Sequence, residues 1–403
     1  MTITPQAEQS GVAPARVVYL HLGAPKTGTT HLQAMLHAHR DRLRAAGCFY
    51  PPSRLSAHHD EARDLRSARP GGFLHPKVPG SWDRLVGRLQ QWDGHGVAVV
   101  SSELLGFANA AQARRAVESL QPAEVHLVIT LRDLVRQVPA VWQETVKNRS
   151  PMQYDEFLRR LAERGDGPGP RRIWDAQDPA RILERWGADI PDERIHLVTV
   201  PPAGTDKGLL WRRFCQVLGV EPDDYPLVPA GANTSLGLAE TEVVRRLNEQ
   251  LQSCPWPFYS SHIKNGIAQG VLAGGTTGAR IVLPQSMQPW VEGRTKQIID
   301  AISERGYDVV GDLDDLRATP DAAGERDPAA PDPAELAAAS ATAANYLARE
   351  FARTWRRSRR KSKEPPPPQR QGLKQTLVGM SERHRAVDVL RRGYRVARRR
   401  VGR

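Results

Sequence analysis

Cysteine is scarce in this chain of 403 residues. The three cysteines, Cys48, Cys215 and Cys254, are widely separated along the sequence. An odd number at such spacing matches neither a zinc-binding pattern nor a disulfide framework. We therefore expect free, buried thiols and a reducing compartment.

Long apolar runs are also missing. No stretch approaches the roughly 20 apolar residues that a membrane-spanning helix needs. Residues 1–15 are polar and lack a charged segment followed by an apolar core, so they do not read as a signal peptide. These features predict a cytoplasmic protein with a disordered leader at residues 1–15, and they argue against a membrane-anchored glycan enzyme of the secretory lumen.

Excess charge is nearly absent from the body of the chain, although the whole sequence carries a net charge of +12. Residues 352–403 hold 18 Lys and Arg against 3 Asp and Glu, a net charge of +15, which leaves −3 for the remainder. The basic character therefore belongs to the C-terminal tail. It does not indicate a nucleic-acid-binding fold, and we expect no nucleic-acid partner.

The most informative stretch begins with the apolar run Val17–Leu22, which predicts a strand covered on both faces. Gly23 ends the run, and helical spacing begins after Gly28, at Thr29. A loop of small residues between a strand and a helix N-terminus is an anion site, because loop N–H groups and the helix dipole both favour negative charge.

The loop differs from a nucleotide P-loop in one respect. A Walker A loop reads G-x-x-x-x-G-K-[ST], and Gly23, Gly28 and Thr30 have that spacing. The position of the Walker lysine is taken by Thr29, whereas a lysine stands earlier, at Lys26. The displaced lysine indicates an anion other than the β/γ-phosphates of ATP.

The run Pro25-Lys26-Thr27-Gly28-Thr29-Thr30 closely resembles the 5′-phosphosulfate loop of the sulfotransferase family. Those enzymes take a sulfuryl group from 3′-phosphoadenosine 5′-phosphosulfate, PAPS. The resemblance covers residues 16–220 at the level of motifs and extends less specifically to 316. It implies that these six residues bind PAPS and that Lys26 is catalytic, with no metal required.

A second motif follows the predicted strand Val125–Leu131. In the sulfotransferase family an arginine at such a strand end binds the 3′-phosphate of the donor, and a serine eight residues later adds a contact. Arg132 matches the arginine, but the serine position is Ala140. Arg136, one turn into the next helix, is a candidate replacement for the missing contact. The alternative role for Arg132 is a structural pair with a surface carboxylate.

Glu103 follows the predicted strand Val97–Val100, at a position where ligands bind in doubly wound sheets. Relatives use a Glu or a His as general base, so Glu103 is the first candidate. It can equally be a carboxylate that stabilises a helix N-terminus. His58 and His59 are the next candidates, in a segment, 53–81, that we expect to be irregular. Lys264 is a weaker candidate for donor binding.

The sequence predicts an α/β fold of three layers, P-loop-like, with a central parallel sheet flanked by helices. We expect a sulfotransferase-like domain at 16–316 with helical additions, a linker at 317–333, and a basic tail at 334–403 that is partly helical or disordered. Apolar residues at helical spacing among arginines are typical of a basic amphipathic helix that contacts an anionic membrane surface; they are Leu373, Leu377, Met380, Val387, Leu390, Tyr394 and Val401. The alternative is a solvated, disordered tail, or a tail that rests on the slightly acidic body of the chain.

These features predict a sulfotransferase that moves a sulfuryl group from PAPS to a hydroxyl or amine by in-line displacement. The acceptor is a small molecule, a glycan or a lipid. Two alternatives stay open: a P-loop phosphotransferase that uses ATP, and a non-catalytic relative that binds nucleotide and acts as an interaction module.

Overall fold

The structure is a computed structural model of the chain. It describes residues 16–361, apart from 52–53, 55–56, 93–95, 164–171, 229–234, 274–278 and 319–330. The predicted leader and the apolar pattern predicted for residues 373–401 lie outside the described residues, as does most of the predicted linker.

The centre of the molecule is a six-stranded parallel sheet with the strand order β2-β3-β1-β4-β5-β6. The strands are β1 (Val17–His21), β2 (Cys48–Phe49), β3 (Val97–Ser101), β4 (Glu124–Leu131), β5 (Ile195–Thr199) and β6 (Asp308–Val310). This arrangement confirms the predicted α/β fold with a central parallel sheet.

Helices fill the connections between the strands. The α-helices are α1 (Thr29–Ala38), α2 (Arg40–Ala45), α3 (Ala57–Leu65), α4 (Ser81–Gln91), α5 (Ala110–Leu120), α6 (Leu134–Lys147), α7 (Tyr154–Glu163), α8 (Arg172–Asp175), α9 (Pro179–Trp186), α10 (Leu209–Leu218), α11 (Leu238–Gln250), α12 (Trp256–Phe258), α13 (Gln288–Ser303) and α14 (Pro333–Lys361). A π-helix spans Tyr259–Leu272, and short 3-10 turns include Glu103–Phe107 and Leu313–Leu316.

Both faces of the sheet are covered, which explains why its strands read as nearly continuous apolar runs. Tyr19 of β1 joins a core cluster with side chains of α1 and α10, among them the buried Trp211 and Phe214. Val18 and Leu20, which alternate with Tyr19, are buried as well. Burial of each large apolar side chain contributes about 1.5–3 kcal/mol to folding.

The strand order decides where the predicted motifs meet. β1 lies between β3 and β4, with His21 aligned to Ser101 on one side and to Val128 on the other. The strand order places β3 on one side of β1 and β4 on the other. The connections to the two sides leave a crevice at the carboxyl ends of these three strands. The loops that follow β1, β3 and β4 therefore converge at one edge of the sheet.

Two local expectations are wrong. The segment expected to be irregular contains α3, whose buried residues include the polar His58 and Glu61. His58 is buried with Ser101 as its hydrogen-bond partner, and Glu61 is buried in an ion pair with Arg88. Because these buried positions are polar, the sequence of α3 shows no continuous apolar stripe. The sequence also predicts Arg194–Val200 as the last strand of the sheet, which is wrong because β6 adds a short edge strand through its pairing with His196–Val198.

The contacts divide the chain into two units, residues 1–343 and 344–403. The first unit contains the sheet and the candidate site. Of the second unit the structure describes residues 344–361, which belong to α14. That helix is longer than the segment 334–349 for which the sequence favours a helix. Within the described ranges, no helix is both long and apolar enough to cross a membrane.

Candidate active site

The loop between β1 and α1 is held together by its own Thr27. The Thr27 hydroxyl donates to the Ala24 carbonyl and lies 2.5 Å from the Thr130 hydroxyl. The Thr27 N–H donates to the same Ala24 carbonyl, and the Ala24 N–H donates to Thr27 Oγ1. Because Thr27 is fully buried, its polar groups shape the loop from inside.

Three loop residues take left-handed backbone conformations: Gly23, Lys26 and Gly28, with φ of +49°, +74° and +88°. Lys26 is not a glycine, and such a conformation costs about 1 kcal/mol or more. The positive φ of Gly28 favours glycine, and a Cβ there would lie 2.5 Å from Leu210 Cδ2, so a larger residue would also have to displace that methyl group.

Backbone donors gather where the loop enters α1. Gly28 is the N-cap of this ten-residue helix, and Thr29 and Thr30 are its first two residues. The N–H groups of a first helical turn lack acceptors within the helix. The His31 N–H is an exception, since it donates to the Gly28 carbonyl at 3.0 Å. Together with the dipole of α1, the remaining donors favour a bound anion.

The Lys26 side chain belongs to a cluster built around one carboxylate, Glu144 of α6. Lys26 Nζ and Lys147 Nζ lie 2.7 Å and 2.8 Å from Glu144 Oε2, and Lys264 Nζ lies 3.5 Å from Oε1. Lys264 also donates to Asn148 Oδ1 at 2.7 Å. Three ammonium groups and one carboxylate leave the cluster with a surplus of two positive charges.

The protonation of this cluster follows from burial and proximity. Burial acts to raise the pKa of Glu144, but the charges of Lys26, Lys147 and Lys264 outweigh it and hold that pKa far below its usual range. Burial, together with the charge of Lys26, lowers the pKa of Lys147. Glu144 is therefore an anion at neutral pH, and a second anion near Lys26 must compete with it.

A cavity of about 430 Å³ opens beside the cluster, a volume in the range of small-ligand sites. It is lined by loop residues, by the C-terminal half of α6 and by the residue that ends the 3-10 turn after β3. The lining residues are Pro25, Lys26, Phe107, Val141, Glu144, Thr145, Asn148, Arg149, Ser150, Gln177 and Gln252.

Arg132 lies beside the loop, as its motif predicts. Its NH1 donates to the Lys26 carbonyl oxygen at 2.8 Å. Its buried Nε has no hydrogen-bond partner among the described residues. Burial lowers the pKa of Arg132 to about 10, assisted by the charge of Arg136, so the guanidinium remains charged at neutral pH. A buried cation with a free donor fits an anionic group of a ligand.

Arg136 is in a different state, because its charge is already paired. Its Nε donates to Asp133, the N-cap residue of α6, and its NH2 donates to the Pro201 carbonyl at 3.0 Å. Ala140 lies on the same helix and has no side-chain donor. The structure thus gives Arg136 internal partners, and its predicted contact with the donor stays a prediction.

Glu103 begins the 3-10 turn after β3 and is held by two side chains. His59 Nε2 lies 3.1 Å from Glu103 Oε1, and Gln33 Nε2 donates to Oε2 at 3.2 Å. Burial acts to raise the pKa of Glu103, but the hydrogen bond and charge of His59 outweigh it, and the pKa falls to about 2. The carboxylate is therefore ionised, and His59 supports it.

His58 and His21 are fully buried around Ser101 of β3. Nδ1 of His58 accepts from the Ser101 N–H at 3.0 Å, and Nδ1 of His21 lies 2.8 Å from the Ser101 hydroxyl. Burial lowers the pKa of His58 to about 3 and that of His21 to about 4. His58 is thus a weak base, and its Nδ1 is already taken by the Ser101 N–H, so we regard it as a structural residue.

The structure brings together Lys26 and Arg132, while Glu103 follows the neighbouring strand β3. Glu144, which lies 118 positions from Lys26 along the chain, is not among the site residues predicted from the sequence. The only local signal was its spacing of three from Lys147 on a predicted helix. Among the described residues, no group of three or more His, Cys, Asp or Glu side chains is arranged to hold a metal.

The residues present offer two sets of donors to the anionic groups of a ligand. The loop donors and Lys26 suit one group, and the unpartnered Nε of Arg132 suits the other. The left-handed conformation of Gly28 and the buried hydrogen bonds of Thr27 shape the loop backbone that carries these N–H groups.

In comparisons with known proteins, no protein-family model and no curated protein matches the chain. Among solved structures, the chain is similar to the sulfotransferase domain of the olefin synthase from Synechococcus PCC 7002. The two are 14% identical, the alignment covers 74% of this chain and 98% of that domain, and the TM-score is 0.33. A similarity of this size does not establish a shared family or activity.

Proposed function

We propose that this protein is a PAPS-dependent sulfotransferase that transfers a sulfuryl group to a hydroxyl or amine of a small-molecule, glycan or lipid acceptor. PAPS is the sulfuryl donor when bound, and its product is adenosine 3′,5′-bisphosphate. The proposal combines the resemblance of the Pro25–Thr30 loop to the sulfotransferase loop with the position of Arg132.

The observation that carries the proposal is the hydrogen bond from Arg132 to the Lys26 carbonyl. It joins two motifs separated by 106 positions in the chain, at the carboxyl ends of adjacent strands. A 3′-phosphate on the donor would give this buried arginine an anionic partner. The Thr29 side chain at the Walker lysine position also disfavours ATP.

In this proposal the loop and Lys26 act together on developing negative charge. The Gly28, Thr29 and Thr30 N–H groups and the Lys26 ammonium face the sulfuryl end of the donor. Fixed donors of this kind stabilise charge more strongly in the transition state than in the ground state. To do so, the Lys26 ammonium must break its ion pair with Glu144. Lys147 and Lys264 would still neutralise the Glu144 carboxylate after that pair is broken.

Glu103 is the proposed general base, which takes the proton of the acceptor nucleophile as attack proceeds. Its ionised state at neutral pH and its support by His59 favour this role. The low pKa also makes it a weak base. Glu144 is the other carboxylate of the site, in direct contact with Lys26, and it is the alternative if Glu103 proves dispensable.

A non-catalytic relative that binds the nucleotide remains a second candidate, because Ala140 cannot make the expected serine contact and the Lys26 ammonium is paired with Glu144.

A turnover assay separates the catalytic from the non-catalytic candidate. Purified protein is incubated with PAPS labelled on its sulfate, together with phenolic, sugar and amine acceptors. The proposal predicts labelled acceptor with the wild type and at least about a hundredfold loss in Lys26→Ala. The exposed Lys296→Ala variant, in which only a surface pair with Asp300 is lost, is the matched control. Equal rates for wild type and Lys26→Ala would overturn the catalytic role.

A further inference from the structure

The described part of the second unit, residues 344–361 of α14, exposes an apolar stripe. Leu347, Phe351 and Trp355 follow each other at intervals of four residues, so they lie along one side of the helix. Their exposed fractions are 37%, 74% and 51%. We call these three side chains the α14 stripe.

Single exposed apolar residues are normal in proteins, but the α14 stripe is not of that kind. Phe351 and Trp355 are the two most exposed large apolar side chains among the described residues. Every side chain from Phe351 to Arg359 is exposed. Among the described residues, this two-turn apolar face is only partly covered, so most of the hydrophobic stabilisation that Phe351 and Trp355 offer is not used, and a partner could use it.

The charge around the stripe identifies the kind of partner. Residues 344–361 hold seven Lys and Arg against one Glu, a net charge of +6. Arg349, Arg353, Arg356 and Arg357 lie outside the stripe on the helix, and the Arg359 guanidinium lies 4.6 Å from the centre of the Trp355 ring. The surface therefore combines an apolar face with a positive border.

Two occupants from the protein itself carry the wrong charge. A second copy of the helix would bring +6 against +6. The remaining segment of the chain, 362–403, holds 12 Lys and Arg against 3 Asp and Glu, a net charge of +9. Like charges at close range oppose both contacts. An anionic partner with an apolar interior meets both features of the surface at once.

We propose that α14 binds the surface of an anionic lipid bilayer, with the α14 stripe buried at the level of the acyl-chain boundary and the arginines among the headgroups. Trp and Phe suit this interface, and long arginine side chains extend from it to the headgroup phosphates. Each cation near such a surface adds attraction that salt weakens. The proposal is independent of the sulfotransferase activity and of residues 362–403.

The test is co-sedimentation of the full-length protein with phosphatidylcholine vesicles and with vesicles of equimolar phosphatidylcholine and phosphatidylglycerol. We expect binding only to the anionic vesicles. Phe351→Ser combined with Trp355→Ser should weaken that binding at least about tenfold, because each side chain buries a large apolar area in the bilayer. Leu227→Ser combined with Phe258→Ser, at two exposed apolar positions outside α14, is the matched control and should bind like the wild type.

Three results would overturn the proposal. Wild-type protein that ignores anionic vesicles, or that binds neutral ones equally, excludes this surface as an anionic-lipid site. Unchanged binding of the Phe351→Ser, Trp355→Ser variant would assign binding to residues outside the stripe. A loss of oligomer mass in that variant, measured by light scattering without lipid, would mean that the stripe joins copies of the chain. Because the mutated side chains are exposed, the far-ultraviolet circular dichroism of the variant should equal that of the wild type.

Discussion

The Lys26 ammonium lies 2.7 Å from the Glu144 carboxylate, so the lysine that the loop offers to a donor is paired with a carboxylate of α6. Lys147 and Lys264 contact the same carboxylate. A donor anion and Glu144 therefore compete for Lys26, and Glu144 has two further ammonium groups to remain with when the donor succeeds.

This competition predicts opposite changes of affinity and stability in Glu144→Gln. Adenosine 3′,5′-bisphosphate should bind about fivefold or more tightly by calorimetry, because a repelling charge is gone and Lys26 is released. The free energy of unfolding should fall by about 1–3 kcal/mol, since three ammonium groups lose their common partner. Glu163→Gln, which removes an exposed carboxylate paired with Arg159, should change neither quantity appreciably. Weaker nucleotide binding in Glu144→Gln would contradict the competition.

Arg132→Ala should distinguish the two phosphates of the product nucleotide. We expect the affinity for adenosine 3′,5′-bisphosphate to fall at least about tenfold more than that for adenosine 5′-phosphate, because the lost guanidinium faces a group that only the former carries. Arg136→Gln should have a smaller effect, since that guanidinium is held by Asp133 and Pro201. Equal losses for both nucleotides in Arg132→Ala would make Arg132 a structural residue of the loop.

Glu103→Gln should lower turnover by about a hundredfold or more while nucleotide affinity stays unchanged, because the amide keeps the shape of the side chain but cannot take a proton. His59→Ala removes the hydrogen bond that lowers the pKa of Glu103. The pKa of Glu103 then rises, so the acid limb of the pH–rate profile should move to higher pH. Full activity of Glu103→Gln would direct attention to Glu144.

Acid should weaken the fold through the two buried histidines. The pKa values of His58 and His21 are lowered by burial to about 3 and about 4, whereas an unfolded histidine has a pKa of about 6.5. As the pH falls from about 6.5 to about 4, the unfolded state binds protons that the folded state does not. Each histidine then lowers the free energy of unfolding, by up to about 2 kcal/mol at about pH 5.

His58→Gln should therefore reduce the pH dependence of the urea midpoint between neutral pH and about pH 5. Glutamine can still accept the Ser101 N–H, so the variant is expected to fold. His75→Gln, at an exposed position, is the control and should keep the wild-type slope. A slope in His58→Gln as steep as in the wild type would show that His58 is not the titrating group.

The parts of the site that the sequence predicts are those with local signals. The β1 strand, the loop and the start of α1 form a continuous pattern, and Arg132 follows directly on an apolar strand. Their meeting follows from parallel pairing, because β1 and β4 end at the same edge of the sheet. No contact between distant residues had to be known for that prediction.

The parts that the sequence does not reveal depend on such contacts. Glu144 meets Lys26 and Lys264 through the packing of α6 against the loop and the π-helix, whereas Lys147 is its neighbour on α6 itself. The buried polar residues of α3 conceal its helical period, since Glu61 is buried by its pair with Arg88. The three residues of β6 are too few for a pattern, and their pairing with β5 arises only when the sheet is assembled.

The most direct test of the account is calorimetric titration of the wild-type protein with adenosine 3′,5′-bisphosphate, and with ATP in the presence of magnesium. The account predicts that adenosine 3′,5′-bisphosphate binds at least about tenfold more tightly than ATP, without any metal. It predicts also that Arg132→Ala reduces that preference, because only adenosine 3′,5′-bisphosphate carries the 3′-phosphate. Tighter binding of ATP, or equal binding of the two nucleotides, would contradict the assignment of the Gly23–Thr30 loop and Arg132 to a donor with a 3′-phosphate.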